Sequence, residues 1–313
     1  MSQQRFRIGT RASRLALWQA EWVKSSLQQL HPTLQVELVK IQTEGDRILD
    51  VPLAKIGGKG LFVKEIEEAL LDGRIDLAVH SMKDVPTLLP PGLELRCITE
   101  RADPRDCLVL AAPQKNLADL PQGARIGTSS LRRRAQLLHK RPDLRISDMR
   151  GNVDTRLRKM REEGLDGIVL AAAGLKRLGY EEHIGLYLEP KDCLPAIAQG
   201  ALGLECRIDD KATHALLAPL HHPATAMEVT AERAFLARLE GGCQVPVAGY
   251  AQLLDDRLEL TGLVARIDGS EVLKDSLTCP ADEAAEVGRA LADILLRCGA
   301  DQILGELYGQ AES

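Results

Sequence analysis

The sequence predicts an α/β fold built as two successive units, followed by a smaller α+β region. Three observations predict it. Strand-like and helix-like segments alternate through the first hundred residues. The pattern restarts after Asp103-Pro104-Arg105-Asp106. From Thr225 onward, β-like stretches are grouped together and flanked by helices.

In chain order, Arg5–Thr10 reads as a short strand. Ser13–Leu30 follows as an amphipathic helix with Leu15, Trp18, Trp22 and Leu27 near one face, and Ser13 is suited to cap it. Leu34–Gln42 alternates like a strand, and Leu61–Leu71 reads as a helix. Ile75–Val79 is an apolar strand ending at His80. This βαβ rhythm predicts a mostly parallel sheet. The second unit opens with a strand at Cys107–Ala112. Arg125–Gly127 leads into a helix over Ser129–Lys140, and Leu144–Met149 is a strand. A helix at Val153–Glu163 and a strand at Gly167–Ala172 follow. The last region has a helix at Thr225–Leu239 and strands near Gln244–Leu254, Arg257–Ala265 and Glu271–Thr278. A helical stretch from about Ala281 to Tyr308 completes it.

A chain of 313 residues is long for one core and suggests two or three domains. Aromatic residues make up only 3%, so aliphatic side chains must fill the interior, and broad base-stacking platforms are disfavoured. The net charge is −5, which speaks against a general nucleic-acid footprint. Arginines clustered inside an acidic chain suit a small anion better. No apolar run approaches a membrane span, and Met1–Thr10 lacks a secretory-type apolar core, so the expected location is the cytosol. The seven cysteines show no C-x2-C spacing, predicting free thiols that are mostly buried and no metal finger.

The strongest local motif is Gly127-Thr128-Ser129-Ser130-Leu131-Arg132-Arg133-Arg134, which follows a strand and opens a helix. Free N–H groups and hydroxyls at a helix start favour anions. Arginines in a first turn oppose the helix dipole, a cost that a bound anion would offset; the plainer reading is a capped surface helix. Arg11 and Ser13 flank the first strand-to-helix turn, Arg150 ends a strand, and Arg156 lies early in the next helix. Guanidinium forks grip carboxylates bidentately, so this set suits a ligand with several carboxylates.

His80-Ser81-Met82-Lys83-Asp84-Val85-Pro86 follows the apolar strand. His, Ser and Asp there imitate a hydrolase triad only superficially, because no G-x-S-x-G elbow is present. Asp84 reads either as a turn cap or as a carboxylate facing a cleft, able to stabilise a cation or move a proton. Such a cleft is expected between the first two units, beyond strand ends. Gly57-Gly58-Lys59-Gly60 fails the phosphate-loop pattern, since Gly60 stands where Ser or Thr is required; Ala54–Phe62 reads as a mobile lid carrying Lys55 and Lys59. Cys243, in Glu240-Gly241-Gly242-Cys243-Gln244-Val245-Pro246, is either part of a structural turn or an exposed nucleophilic thiol.

Together these segments resemble the porphobilinogen deaminase family. The matching stretches are Thr10–Ser13 with Leu15–Gln19, Lys55–Phe62, His80–Pro86, Gly127–Arg133, Arg150–Val153, Leu194–Ala196 with Gln199-Gly200, and Glu240–Pro246. One departure is Arg14, where the family usually has proline. The resemblance implies three domains, the first two like the lobes of a periplasmic binding protein. They would be residues 1–99 with 200–218, residues 100–199, and residues 219–313. It implies a dipyrromethane cofactor thioether-linked to Cys243, with Lys83, Ser130, Arg132 and Arg133 holding its carboxylates. Arg11, Ser13, Arg150 and Arg156 would hold incoming porphobilinogen, Arg177 would help as the chain grows, and a buried Asp84 would offset the cation formed at each condensation. The resemblance also implies a monomer that needs no metal or nucleotide. Two other readings differ in kind. A two-lobed dicarboxylate receptor would carry no covalent chromophore, and a nucleic-acid binder using Leu131–Arg134 and Arg156–Arg161 would show steep salt dependence.

Overall fold

The computed structural model describes residues 5–47, 63–240 and 245–311. Segment 54–62, with Lys55 and Lys59, and Cys243 thus lie outside the described residues. The described chain runs β1 (Arg5–Thr10), α1 (Arg14–Leu30), β2 (Gln35–Lys40), α2 (Glu44–Arg47), α3 (Lys64–Leu71), β3 (Leu77–Ser81) and β4 (Leu93–Ile98). It continues as β5 (Asp106–Leu110), β6 (Arg125–Gly127), α4 (Leu131–Lys140), β7 (Arg145–Ser147), α5 (Val153–Glu162), β8 (Gly167–Ala171), α6 (Ala172–Arg177) and β9 (Leu186–Leu188). Then come β10 (Leu202–Arg207), α7 (Lys211–Leu217), α8 (Pro223–Arg238), β11 (Val247–Leu254), β12 (Arg257–Ala265), β13 (Val272–Pro280), α9 (Ala284–Leu295) and α10 (Asp301–Ala311). The fold is mixed α/β, with two sheet-plus-helix lobes and a small C-terminal sheet. Its described residues divide into two compact units: 5–47, 63–102 and 201–226; and 103–200, 227–240 and 245–311.

In the first unit the sheet order is β2-β1-β3-β10-β4. β1 pairs in parallel with β2 and β3, whereas β10 runs antiparallel to both β3 and β4. The expected mostly parallel sheet is therefore corrected to a mixed one. The strand that departs, β10, is distant in sequence, and side-chain periodicity carries no information about pairing direction. One face of the sheet packs Phe6, Ile8, Leu77 and Val79 against Ala20, Val23 and Leu27 of α1. The other packs Ala78 and Leu93 against Ile66, Ala69 and Leu70 of α3. The alternation of β3 assigns its side chains to these faces.

The second unit repeats the plan with order β7-β6-β8-β5-β9, in which β5 is antiparallel to β8 and β9. Leu157 and Met160 of α5 cover one face, and Leu137 of α4 covers the other. The antiparallel sheet β11-β12-β13 belongs to the same unit, with α9 packed on β12 and β13. Glu232 of α8 is fully buried and accepts hydrogen bonds from the Ala198 and Ala251 N–H groups. The expected final helix is broken at Gly299, whose φ of 104° lies where glycine is favoured. No described helix is long and apolar enough to cross a membrane.

Candidate functional site

A pocket in the first unit is lined by Arg11, Ser13, Gln19, His80, Ser81 and Asp84, with apolar walls from Leu15, Val63, Ile66 and Val79. Ser13 reaches it as the N-cap of α1, its hydroxyl accepting the Ala16 N–H at 3.3 Å. Helix α1 starts normally at Arg14 despite the missing proline. Asp84 ends a tight 3-10 turn, Met82–Asp84, that follows β3. Met82 is 1% exposed and plugs the turn into the core, which leaves Lys83 half-buried and Asp84 exposed. The Met82 N–H donates to the Ala201 carbonyl at 3.0 Å. A Cβ on Gly203 would lie 2.2 Å from the Met82 sulfur, so only glycine lets β10 run beneath this turn. The expectation of a buried Asp84 is thus corrected: the carboxyl stands at the pocket rim because the turn is anchored through Met82 instead.

His80 was expected just past a strand but lies within β3 and is 6% exposed. Its Nε2 meets Glu205 Oε2 at 2.8 Å on one face of the sheet. Ser81 points the other way, accepting a 2.8 Å hydrogen bond from Gln19 Nε2. The pleat separates His80 from Ser81, so no hydrolase triad forms. Gln19, His80 and Ser81 are pocket residues for which sequence reasoning assigned no role. The one signal for Gln19 was a polar residue on the apolar face of α1.

Glu67 of α3 is 8% exposed, and its carboxyl is pushed up to about 7, by burial first and then by the charge of Glu205. A carboxyl protonated more readily folded than unfolded costs stability as pH rises from about 4.5 to about 7. That rise is equivalent to roughly 3 kcal/mol. Glu67→Gln is expected to match the parent below this window and to exceed it by about 2–3 kcal/mol above it, read from denaturant unfolding at several pH values.

In the second unit, Ser130 caps α4 and accepts from the Arg133 N–H at 3.5 Å. Ser129 Oγ donates to the Met149 carbonyl at 2.7 Å and accepts from its N–H at 2.8 Å, tying the helix start to the segment after β7. Arg132 and Arg133 turn inward. Arg132 Nη1 lies 2.7 Å from Asp106 Oδ2 and 2.6 Å from the Leu194 carbonyl. Arg133 Nη2 lies 2.7 Å from Asp106 Oδ1, and Nη1 donates to the Val169 carbonyl at 3.0 Å. Asp106 is thus an internal counter-anion shared by both arginines. Burial alone would raise the Asp106 carboxyl, but the two guanidinium charges hold it well below the usual carboxylate range. A guanidinium has donors to spare, and Arg133 Nε is buried without a partner.

Arg150 does not end a strand, because β7 stops at Ser147; it stands in the turn before the α5 cap, Asn152. Gly151 has φ 115°, and a Cβ there would meet Thr155 at 2.6 Å, so glycine is required between Arg150 and the cap. Arg156 Nε donates to the Gly151 carbonyl at 2.8 Å. Arg177 ends α6 partly buried and donates to the Gly200 carbonyl at 2.7 Å; burial lowers it to about 10.

Glu94, Cys206 and His214 bring potential metal-binding atoms within 4.8 Å of one another. His214 Nε2, however, already pairs with Glu94 at 3.1 Å, and burial pushes the Cys206 thiol up to about 12, disfavouring the thiolate a metal needs. Among the described cysteines only Cys298 is exposed.

The fold and this pocket define a mixed α/β protein with guanidinium, hydroxyl and carboxylate groups gathered in one pocket of its first unit. Residues 6–215 match the family model "Porphobilinogen deaminase, dipyromethane cofactor binding domain", and residues 226–297 match "Porphobilinogen deaminase, C-terminal domain". The chain belongs to the porphobilinogen deaminase family. A porphobilinogen deaminase of Syntrophotalea carbinolica is 64% identical over 307 residues, covering 98% of this chain and 97% of the relative. One from Geobacter metallireducens is 58% identical over 308 residues, covering 98% and 96%. Among solved structures, the periplasmic aliphatic sulphonate binding protein SsuA from Escherichia coli aligns over 76% of this chain and 71% of its own. The identity is 16% and the TM-score 0.41.

Proposed function

We propose that the chain is a transferase that condenses four porphobilinogen molecules, each with loss of ammonia, and releases the linear tetrapyrrole hydroxymethylbilane by hydrolysis, a step in tetrapyrrole (heme) biosynthesis. The observation that carries this reading is the meeting of Arg11, Ser13 and Asp84 in one pocket of a chain that matches both family models. Porphobilinogen bears acetate and propionate side chains, which suit guanidinium and hydroxyl donors. Arg11, Ser13, Arg150 and Arg156 hold the incoming pyrrole, and Arg177 supports the growing chain. Loss of ammonia leaves positive charge on the pyrrole, and Asp84 offsets that charge and accepts or returns a proton.

The donor set fits a dipyrromethane. Lys83, Ser130 and the partnerless buried Nε of Arg133 all donate, as a polycarboxylate requires. Lys83, Ser130, Arg132 and Arg133 would hold its carboxylates, and Cys243 would supply the thioether sulfur. When bound, the group supplies the terminal pyrrole on which the chain is extended. In this reading the arginines orient carboxylates while Asp106 fixes the guanidinium planes of Arg132 and Arg133. We further propose a cytoplasmic monomer divided into residues 1–99 with 200–218, 100–199 and 219–313, requiring no metal, nucleic acid or membrane.

The test is intact-protein mass together with a colour reaction for pyrroles. The parent is expected to carry a covalent dipyrrole, and Cys243→Ser none. A Cys243→Ser protein that kept the adduct would end the attachment assignment. A parent that consumed no porphobilinogen would end the reading itself.

A further inference from the structure

The pocket contains an imidazole to which the roles above give no task. His80 lines the wall that also holds Asp84, yet it is 6% exposed. Behind the ring, Glu205 is fully buried, with Oε2 at 2.8 Å from Nε2 and Oε1 without any hydrogen-bond partner. Glu67 joins from α3, with Glu68 beside it on the same helix. Arg11 and Asp84 line the same pocket. Two carboxylates around one imidazole in a desolvated layer are costly, and well-packed apolar residues would serve a purely structural role as well or better. A carboxylate on one ring nitrogen fixes rotation and tautomer and leaves the opposite nitrogen to exchange protons.

We propose that His80, oriented by Glu205, is a proton-transfer residue of the Asp84 pocket, with Nδ1 the atom that carries the transferred proton. This rests on reading the pocket as the pyrrole site. In each condensation the C–N bond of the aminomethyl group, which enters protonated as the ammonium, breaks, its electron pair leaving on nitrogen as ammonia. A C–C bond forms to the ring carbon of the neighbouring pyrrole, and that carbon then gives up its proton. His80 Nδ1 accepts this proton and passes it to the departing ammonia, which leaves as ammonium. Atoms and charge balance with no further reactant. Asp84 balances the pyrrole cation meanwhile.

The test combines ring-nitrogen NMR of histidine-labelled protein with pH profiles of turnover. His80 is assigned by its loss in His80→Gln. The parent should show one imidazole with its proton on Nε2 at high pH that takes its second proton at Nδ1 as the pH is lowered. Glu205→Gln removes negative charge behind the ring, so both this titration and the acid limb of kcat should move to lower pH together. His80→Gln should lose about a hundredfold in kcat with little change in KM, and the acid limb with it. An Nδ1–H tautomer, a ring that does not titrate, or His80→Gln retaining kcat and its acid limb would overturn the proposal. Should His80→Gln fail to fold, the parent spectrum and the matched shifts in Glu205→Gln still decide. The NMR result stands or falls independently of whether porphobilinogen is the substrate.

Discussion

Asp84→Asn is expected to keep the covalent dipyrrole and lose at least about a hundredfold in kcat. The side chain is exposed and its turn is held by Met82 and the Ala201 carbonyl, so the substitution leaves the fold intact. Asparagine preserves size and polarity but removes the charge that would face a pyrrole cation, and with it a proton acceptor. KM should change much less than kcat, because the proposed roles give porphobilinogen's carboxylates to arginine and serine and not to Asp84. Pre-steady-state counting of pyrrole units by mass would show the variant loaded but stalled. A variant that extended the chain at the parent rate would remove Asp84 from the chemistry.

Asp106→Ala should cost about 3–5 kcal/mol of stability, the largest loss expected from any single buried polar change in the second unit. Asp106 is 0% exposed, and Arg132 and Arg133 are 4% and 6% exposed. Gln199 Nε2 adds a 2.9 Å hydrogen bond to Oδ1. Removing the carboxylate strands two positive charges where water cannot reach them. The triple substitution Arg132→Met, Asp106→Leu, Arg133→Met should recover most of that loss, since a matched apolar trio needs no counter-charge. It should nevertheless fail to retain the dipyrrole, if the same arginines hold its carboxylates. Urea unfolding and intact mass on both proteins separate the two roles. A single variant as stable as the parent would mean that the charges are solvated.

The residue pattern carried much of this far. The Ser13 cap, the helix over most of residues 14–30, the strand at Arg257–Ala265 and the serine-capped α4 all follow local rules, because capping, periodicity and turn chemistry act within a few residues. The candidate residues Arg11, Ser13 and Asp84 were likewise legible, since strand ends and helix starts expose functional groups wherever such elements pack. Boundaries were weaker: β3 extends through Ser81, so His80 is a sheet residue.

What the sequence by itself determined is the inventory: which segments are helix or strand, where arginines cluster, and that the chain resembles a pyrrole-condensing family. Only the tertiary structure decided the direction of β10 and β5, the pairing of Arg132 and Arg133 with Asp106, and the buried meeting of His80, Glu205 and Glu67. The reason is range. Periodicity and capping are written into neighbouring residues, whereas the neutralisation of a buried charge joins residues 27 positions apart in one case and 125 in another, which no local pattern encodes.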